Sequence, residues 1–225
     1  MQRIVVLGAG FAGLWSAIGA ARKLDELGIG AGEVEVTLVD RSAWHSIRVR
    51  NYEAELDGTR VPLDEVLGPT GVRRVEAEVT GIDFAHRSVA CSGLGTPDLL
   101  PYDRLVFALG SRLARPPIPG LAAHAFDVDT YDAGCRLNAH IAALPGAVPS
   151  PGRYTVLVIG GGLTGIEAAT EMPGKLRAAL NGAPGTPRVI LADRQPWIGS
   201  DMGEEARTVI AEALAALGIE TRPGI

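Results

Sequence analysis

Ile4-Val5-Val6-Leu7-Gly8-Ala9-Gly10-Phe11-Ala12-Gly13 is the stretch that decides the fold, because its pattern returns as Val156-Leu157-Val158-Ile159-Gly160-Gly161-Gly162-Leu163-Thr164-Gly165. In both copies an apolar run, as expected of a parallel strand buried on both faces, leads into Gly-x-Gly-x-x-Gly and then into a helical pattern. The first glycine permits a tight turn. The second leaves the backbone bare where a pyrophosphate approaches, and the third lets the helix pack closely on the strand. The helix N-terminus then offers free N–H groups and a partial positive charge. Each copy is followed by a second apolar run that ends in an aspartate, Asp40 after Val34-Glu35-Val36-Thr37-Leu38-Val39 and Asp193 after Val189-Ile190-Leu191-Ala192. A carboxylate there accepts hydrogen bonds from both ribose hydroxyls and repels a 2′-phosphate. One such motif is a weak signal. Two in register predict two dinucleotide sites in one polypeptide, and hence electron transfer between two cofactors.

The flanks fit alternating strands and helices. After Gly13, the residues Leu14, Ala17, Ile18, Ala21, Leu24 and Leu27 form one apolar stripe that Gly28 closes. The loops at residues 28–33 and 181–187 lengthen the spacing to each acid beyond the roughly 20 residues of the shortest units. Residues 41–70 read as irregular, with Trp44, His45 and Tyr52 among them and a short helix over Leu63–Leu67. Strands are expected over residues 73–79, 88–91 and 105–109, the last ending at Gly110-Ser111, and a helix over residues 133–144. Arg115-Pro116-Pro117-Ile118-Pro119-Gly120 reads as a stiff linker. Pro173-Gly174 is expected to break or kink the helix that starts at Leu163. Asp201 and Glu204 suggest a capping box for a helix through Leu217, closed by Gly218, with a further strand from Ile219. The fold class predicted is α/β with two Rossmann-like doubly wound units, the second incomplete, over residues 1–120 and 121–225.

The 225 residues carry a net charge of −5 and 47% apolar residues, enough for a substantial core and without the basic footprint of a nucleic-acid binder. Cys91 and Cys135 make no CxxC or zinc spacing and read as idle thiols in a reducing compartment; His86, His124 and His140 show no ligand spacing, so no metal site is expected. Met1-Gln2-Arg3 and the apolar stretch behind it have the outline of a signal peptide, but the glycine spacing has a use only in a strand–turn–helix. No stretch approaches the roughly 18 apolar residues of a membrane-spanning helix. The expected setting is cytoplasmic.

Together these segments resemble the two-dinucleotide-binding flavoproteins of the pyridine nucleotide–disulfide oxidoreductase superfamily. The resemblance implies FAD on Gly8, Gly10, Phe11, Ala12, Gly13, Asp40 and Arg41, and NAD(P)H on Gly160, Gly162, Leu163, Thr164, Gly165 and Asp193. Tyr102-Asp103-Arg104-Leu105-Val106-Phe107-Ala108-Leu109-Gly110-Ser111 resembles the motif that closes the FAD domain, which brings Gly110 to the cofactor. Pro117-Ile118-Pro119-Gly120 resembles the exit to the NAD domain, and Ala77-Glu78-Val79-Thr80-Gly81-Ile82-Asp83 the strand that contacts adenine through Val79.

Disulfide reductases of this superfamily need a cysteine pair shortly after the first fingerprint. That region here has no cysteine, so dithiol exchange is excluded and an external acceptor is implied. Gly162-Leu163-Thr164-Gly165-Ile166-Glu167 with Glu171 resembles the second fingerprint of type II NADH dehydrogenases, where the residue matching Glu167 lies near the nicotinamide–flavin junction. As a bare residue Glu167 is equally a charge favoured by the helix dipole. The family places residues near flavin and acceptor where Trp44 and His45 stand; by residue type alone they read as exposed loop aromatics. The implied activity is hydride transfer from NADH to FAD, with electrons passed to a quinone-like acceptor. A ferredoxin-type or other soluble acceptor, and a nucleotide-binding fragment without turnover, stay open. Asp193 favours NADH, whereas the adjacent Arg194 could accommodate NADPH. The family closes its FAD site with a later Gly-Asp segment, so the chain reads as a C-terminally truncated front half, or as one completed by a homodimer or second chain, with peripheral contact at the inner face of the membrane as a further expectation.

Overall fold

The structure is a computed structural model, described here for residues 1–93 and 99–225. The chain forms two compact units, one of Met1–Ile47 with Asp57–Ala114 and one of Arg48–Leu56 with Arg115–Ile225.

In the first unit the chain runs β1 (Gln2–Leu7), α1 (Phe11–Glu26), β2 (Val34–Asp40), β3 (Trp44–Ser46), β4 (Arg60–Pro62), α2 (Leu63–Leu67), β5 (Arg73–Glu76), β6 (Glu78–Asp83), β7 (Ser88–Ser92), β8 (Leu99–Pro101) and β9 (Arg104–Phe107). Four strands form a parallel sheet in the order β5-β2-β1-β9. Successive side chains of a strand face opposite ways, so β1 feeds two cores. Val5 and Leu7 pack with Val39, Val75 and Val89 on one face. Val6 packs with Leu14, Ala17, Leu38 and Leu63 on the other, beneath α1 and α2. Each such apolar side chain contributes roughly 1.5–3 kcal/mol.

Two stretches depart from the sequence reading. The single strand expected over residues 73–79 is two. Arg73–Glu76 joins the parallel sheet; then Ala77, whose N–H donates to the Asp40 carbonyl at 3.0 Å, hands the chain to β6 in an antiparallel sheet with β7 and β8. Residues 41–70 are not wholly irregular, since β3 and β4 pair antiparallel with His45 opposite Val61.

The second unit runs α3 (Leu121–His124), α4 (Tyr131–Ala143), β10 (Thr155–Ile159), α5 (Leu163–Leu180), β11 (Arg188–Asp193), α6 (Glu204–Ala216) and β12 (Glu220–Pro223). Its sheet is parallel in the order β10-β11-β12. Ile166, Ala169, Met172 and Leu176 of α5 pack with Ile141, Val189, Leu191 and Leu214. Leu157 and Ile159 on β10 are exposed. Thr130 caps α4, its hydroxyl accepting the Ala133 N–H at 3.2 Å.

Here too two expectations are corrected. Of the break or kink expected at Pro173, the break does not occur: helix α5 continues to Leu180. An interior proline costs about 3 kcal/mol, but stopping the helix there would uncover Leu176 and Leu180, two buried leucines of comparable combined worth. The Asp201–Glu204 capping box is not formed. Asp201 sits in a 3-10 turn, Gly203 at φ +81° is the N-cap with no side-chain cap, and Glu204 is the first helical residue.

Segment 48–56 belongs to the second unit because α4 holds it. Asn138 Nδ2 donates to the carbonyls of Glu53 and Ala54 at 3.1 and 3.0 Å. At Gly134 the helix lies so close that an added Cβ would stand 2.5 Å from the Asn51 carbonyl oxygen.

Candidate functional site

Both glycine motifs build the same cradle at the C-terminal end of the first strand of their sheet. Gly8 is left-handed at φ +97° and Gly160 at φ +110°, and each still donates its N–H across the sheet, to Val39 O and Ala192 O, at 2.8 Å. Gly13 and Gly165 are the close-approach positions, where an added Cβ would stand 1.8 Å from the carbonyl oxygen of Gly8 and of Gly160. Gly10 and Gly162 are the N-caps of α1 and α5 at φ −67° and −79°, and an added Cβ there meets no atom within 4 Å. Neither helix has a side-chain cap or an acidic residue in its first turn. Uncapped N–H groups, a positive dipole end and an open approach at the second glycine fit an anionic pyrophosphate. Phe11, Ala12, Leu163 and Thr164, which open the two helices, are exposed.

The two aspartates, assigned to ribose from sequence, accept backbone N–H groups that the sequence reading did not foresee. Asp40 Oδ2 accepts the Ala9 N–H at 2.7 Å and its Oδ1 the Ser42 N–H at 2.8 Å. Asp193 repeats this with the N–H groups of Gly161 and, at 2.6 Å, Gln195. Those donors, with Arg194 adding to them, hold the Asp193 carboxyl below the usual carboxylate range. Each acid thus clamps its own glycine turn, and a carboxylate with about four acceptor sites keeps capacity for ribose hydroxyls.

The remaining sequence-assigned residues spread around these cradles. Gly110 is exposed and left-handed at φ +74°, just past β9, which pairs with β1 through Leu7 and Phe107. Val79 is half-buried on β6, against the core that contains Val5 and Leu7. Arg41 is exposed, 3.9 Å from Glu78, a pair of little energetic weight. Glu167 is half-buried on α5.

Around Glu167 lies a cluster that sequence reasoning missed. Burial, together with the carboxylates of Glu167, Glu53 and Glu171, pushes the Tyr52 phenol up. Lys175 is buried at 7% exposure and donates to Asn138 Oδ1 at 2.7 Å. Its burial lowers it to about 8, against the opposing pull of Glu171 and Glu53. The signal available was the spacing Glu167, Glu171, Lys175, which sets three charged groups on one helix face.

His45 was also misread. It is buried at 7% exposure rather than an exposed loop aromatic; its Nδ1 lies 2.7 Å from the Ala9 carbonyl, and Phe11 meets it edge-on with ring centroids 5.0 Å apart. Trp44 is exposed and stacks under the Arg60 guanidinium at 4.4 Å. Among the described residues no three His, Cys, Asp or Glu side chains gather as a metal site, and Cys91 and Cys135 are free thiols.

Strand, glycine turn, helix and clamping acid, repeated in two parallel sheets, define Rossmann-like dinucleotide-binding units. Residues 2–225 match the pyridine nucleotide-disulphide oxidoreductase family, and the chain belongs to it. It is 53% identical over 226 residues to an NADH dehydrogenase-like protein of Mycobacterium tuberculosis, covering 100% of this chain and 56% of that protein. It is 30% identical over 181 residues to a demethylphylloquinone reductase of Synechocystis, covering 77% of this chain and 43% of the relative. The chain therefore spans about half the length of the curated relatives it matches. Among solved structures, NDH2 from Plasmodium falciparum in complex with NADH superposes with a TM-score of 0.78 at 16% identity, over 99% of this chain and 48% of that one. A NAD-dependent persulfide reductase from A. fulgidus gives 0.78 at 22% identity, over 99% and 40%. At these identities the likeness is one of fold.

Proposed function

We propose that the first cradle holds FAD, that the second takes NADH, and that the protein oxidises NADH with a quinone as final acceptor. The observation that carries this is the duplicated cradle, open at Gly10 and Gly162, in a chain 53% identical to an NADH dehydrogenase-like protein. The quinone draws its support from relatives such as the demethylphylloquinone reductase.

When bound, the flavin supplies the hydride and electron chemistry. The chain's own residues bind and orient. The N–H groups that open α1, at Phe11 and Ala12, take the FAD pyrophosphate, with Gly8, Gly10 and Gly13 shaping the turn. Asp40 takes the ribose, Arg41 stands beside it, Val79 offers its backbone to the adenine, and Gly110 closes the approach from β9. Gly160, Gly162, Leu163, Thr164 and Gly165 form the NADH counterpart. Asp193, kept ionised by its N–H donors, selects the unphosphorylated ribose. Glu167 is the candidate for contact with the reacting nicotinamide. On this reading residues 1–120 form the FAD domain and 121–225 the NAD(P)H domain, with a homodimer or second chain as the proposed partner. Among the described residues no helix is long and apolar enough to cross a membrane. The proposed setting is cytoplasmic, with peripheral contact at the inner membrane face.

The test is to load the purified protein with FAD and add NADH anaerobically. Loss of the flavin's visible band, followed by recovery on adding a quinone, is expected. Binding of both nucleotides without bleaching would reduce the protein to a nucleotide-binding module. Recovery with a ferredoxin-type acceptor but not with a quinone would replace the acceptor.

A further inference from the structure

The geometry points to His45 as a positioning residue that latches the first dinucleotide cradle by fixing the peptide between Ala9 and Gly10. The inference rests on the proposed reading of that cradle as the FAD site.

The middle residue of the turn, Ala9, is held at both ends. Its N–H donates to Asp40 Oδ2 and its carbonyl oxygen lies 2.7 Å from His45 Nδ1. A carbonyl can only accept, so Nδ1 carries the proton. The peptide is trans, and a trans peptide holds its C=O and N–H antiparallel. Fixing the Ala9 carbonyl against the imidazole therefore sends the Gly10 N–H away from it. Gly10 is the N-cap whose surroundings are open. His45 is itself anchored, since β3 pairs with β4 and its ring edge meets Phe11.

The second unit supports this independently. The residue matching Ala9 is Gly161. Its N–H donates to Asp193, and its carbonyl accepts the Gly199 N–H at 2.8 Å. Both cradles thus hold the same carbonyl with a donor from the segment just past the clamping acid. One donor is a backbone amide that persists under every substitution but proline. The other is a single side chain, so the first cradle has a latch that an ordinary substitution can open.

The experiment compares His45→Phe with His45→Asn in the purified protein. Phenylalanine keeps an aromatic ring against Phe11 and removes the donor. Asparagine places an amide nitrogen near the position of Nδ1. FAD affinity is read by flavin fluorescence, NADH affinity serves as a control in the second unit, and hydrogen exchange at the Ala9 amide, which Asp40 holds, is read without ligand. His45→Phe should weaken FAD about tenfold or more, the effect of stranding a buried acceptor. His45→Asn should stay within about threefold of the parent. NADH should be unaffected in both, and Ala9 exchange should quicken only in His45→Phe.

Unchanged FAD affinity in His45→Phe overturns the latch and leaves the proposed function standing. Equal loss of both nucleotides in both variants also overturns it, in favour of a packing role. If the parent protein ignores FAD, the proposed function falls, and unaltered Ala9 exchange in His45→Phe then decides against the latch separately.

Discussion

Gly10→Ala and Gly13→Ala place the same methyl group three residues apart and should have opposite consequences. At Gly13 the new Cβ would stand 1.8 Å from the Gly8 carbonyl oxygen and 3.3 Å from Ala108 Cβ. Real Cβ contacts stay beyond 3.0 Å, so α1 must move off β1 by more than an ångström. That movement carries Leu14 and Ala17 out of a packed core. Overpacking of this kind costs about 1–3 kcal/mol and sometimes more; at the upper end, a chain of this length loses roughly 6–12 °C in Tm. At Gly10 the backbone is extended at φ −67°, and the methyl meets nothing within 4 Å. The poorer N-cap costs up to about 1 kcal/mol, and the stiffer unfolded chain offsets about 0.4–1 kcal/mol of that. Tm should therefore move by less than about 4 °C. On the proposed reading the same methyl would stand in the path of the pyrophosphate. Losing two charge-assisted hydrogen bonds at about 1.5–3 kcal/mol each would weaken FAD by roughly 100-fold or more. Circular dichroism melting and FAD titration of the two variants make the test. Parent-like FAD affinity in Gly10→Ala would refute the phosphate assignment, and a parent-like Tm in Gly13→Ala would refute the close approach.

Two further outcomes follow from side chains. Asp193→Asn keeps an acceptor for one of the two backbone N–H groups but turns an amide toward the other and removes the charge; NADH should bind about tenfold more weakly, while NADPH loses less because its 2′-phosphate is no longer repelled, and an unchanged NADH to NADPH affinity ratio would remove Asp193 from the ribose. Burial lowers Lys175 in the folded protein from 10.5 to about 8. Between those values the unfolded chain binds the extra proton, so stability should rise with pH from about 8 to 10.5 and stay flat in this respect below. Lys175→Met keeps the buried stem and removes the titration, so subtracting its urea midpoints from the parent's isolates the rise from the opposing fall that the raised Tyr52 phenol brings at the upper end; a zero difference across this window would show that the ammonium is not buried.

How much of this was legible depended on whether the controlling contact was local. The cradles were readable because each glycine answers to residues within the motif or at the end of the adjacent strand. Gly13 on Gly8, Gly165 on Gly160 and the left-handed first glycines all follow from the spacing. Gly28 at φ +67° and Gly218 at φ +70° closed their helices for equally local reasons. Pro173 defeated the reading because its cost is local while the compensating burial of Leu176 and Leu180 is tertiary. Segment 48–56 could not be assigned to the second unit from sequence, since its ties are long-range: Asn138 reaches carbonyls more than 80 residues earlier in the chain, Gly134 packs on Asn51, and Arg48 pairs with Asp129. Nothing local to Lys175 marks it as buried; it is buried where α5 meets α4, with its ammonium on Asn138.

The two latches bear on what the glycine fingerprint requires. Its pattern names three glycines and an acid and is silent about the carbonyl in the middle of the turn. That carbonyl belongs to a buried residue in both units, Ala9 and Gly161. A buried backbone acceptor without a donor costs about 1–3 kcal/mol. The donors here share neither residue type nor local structure. One is an imidazole on a β-strand, the other a backbone amide at a left-handed glycine in a turn, and their distances of 2.7 and 2.8 Å nearly coincide. Agreement of geometry without agreement of sequence locates the constraint in the peptide plane. The surroundings carry the consequence. At Gly161 an added Cβ would stand 2.9 Å from Ile198 Cδ1 and 3.0 Å from Asp193 Cβ. At the matching place Ala9 keeps its methyl within the core under α1. The room for a methyl at the middle of the turn is therefore set jointly by the clamping acid and by the segment past it that holds the carbonyl.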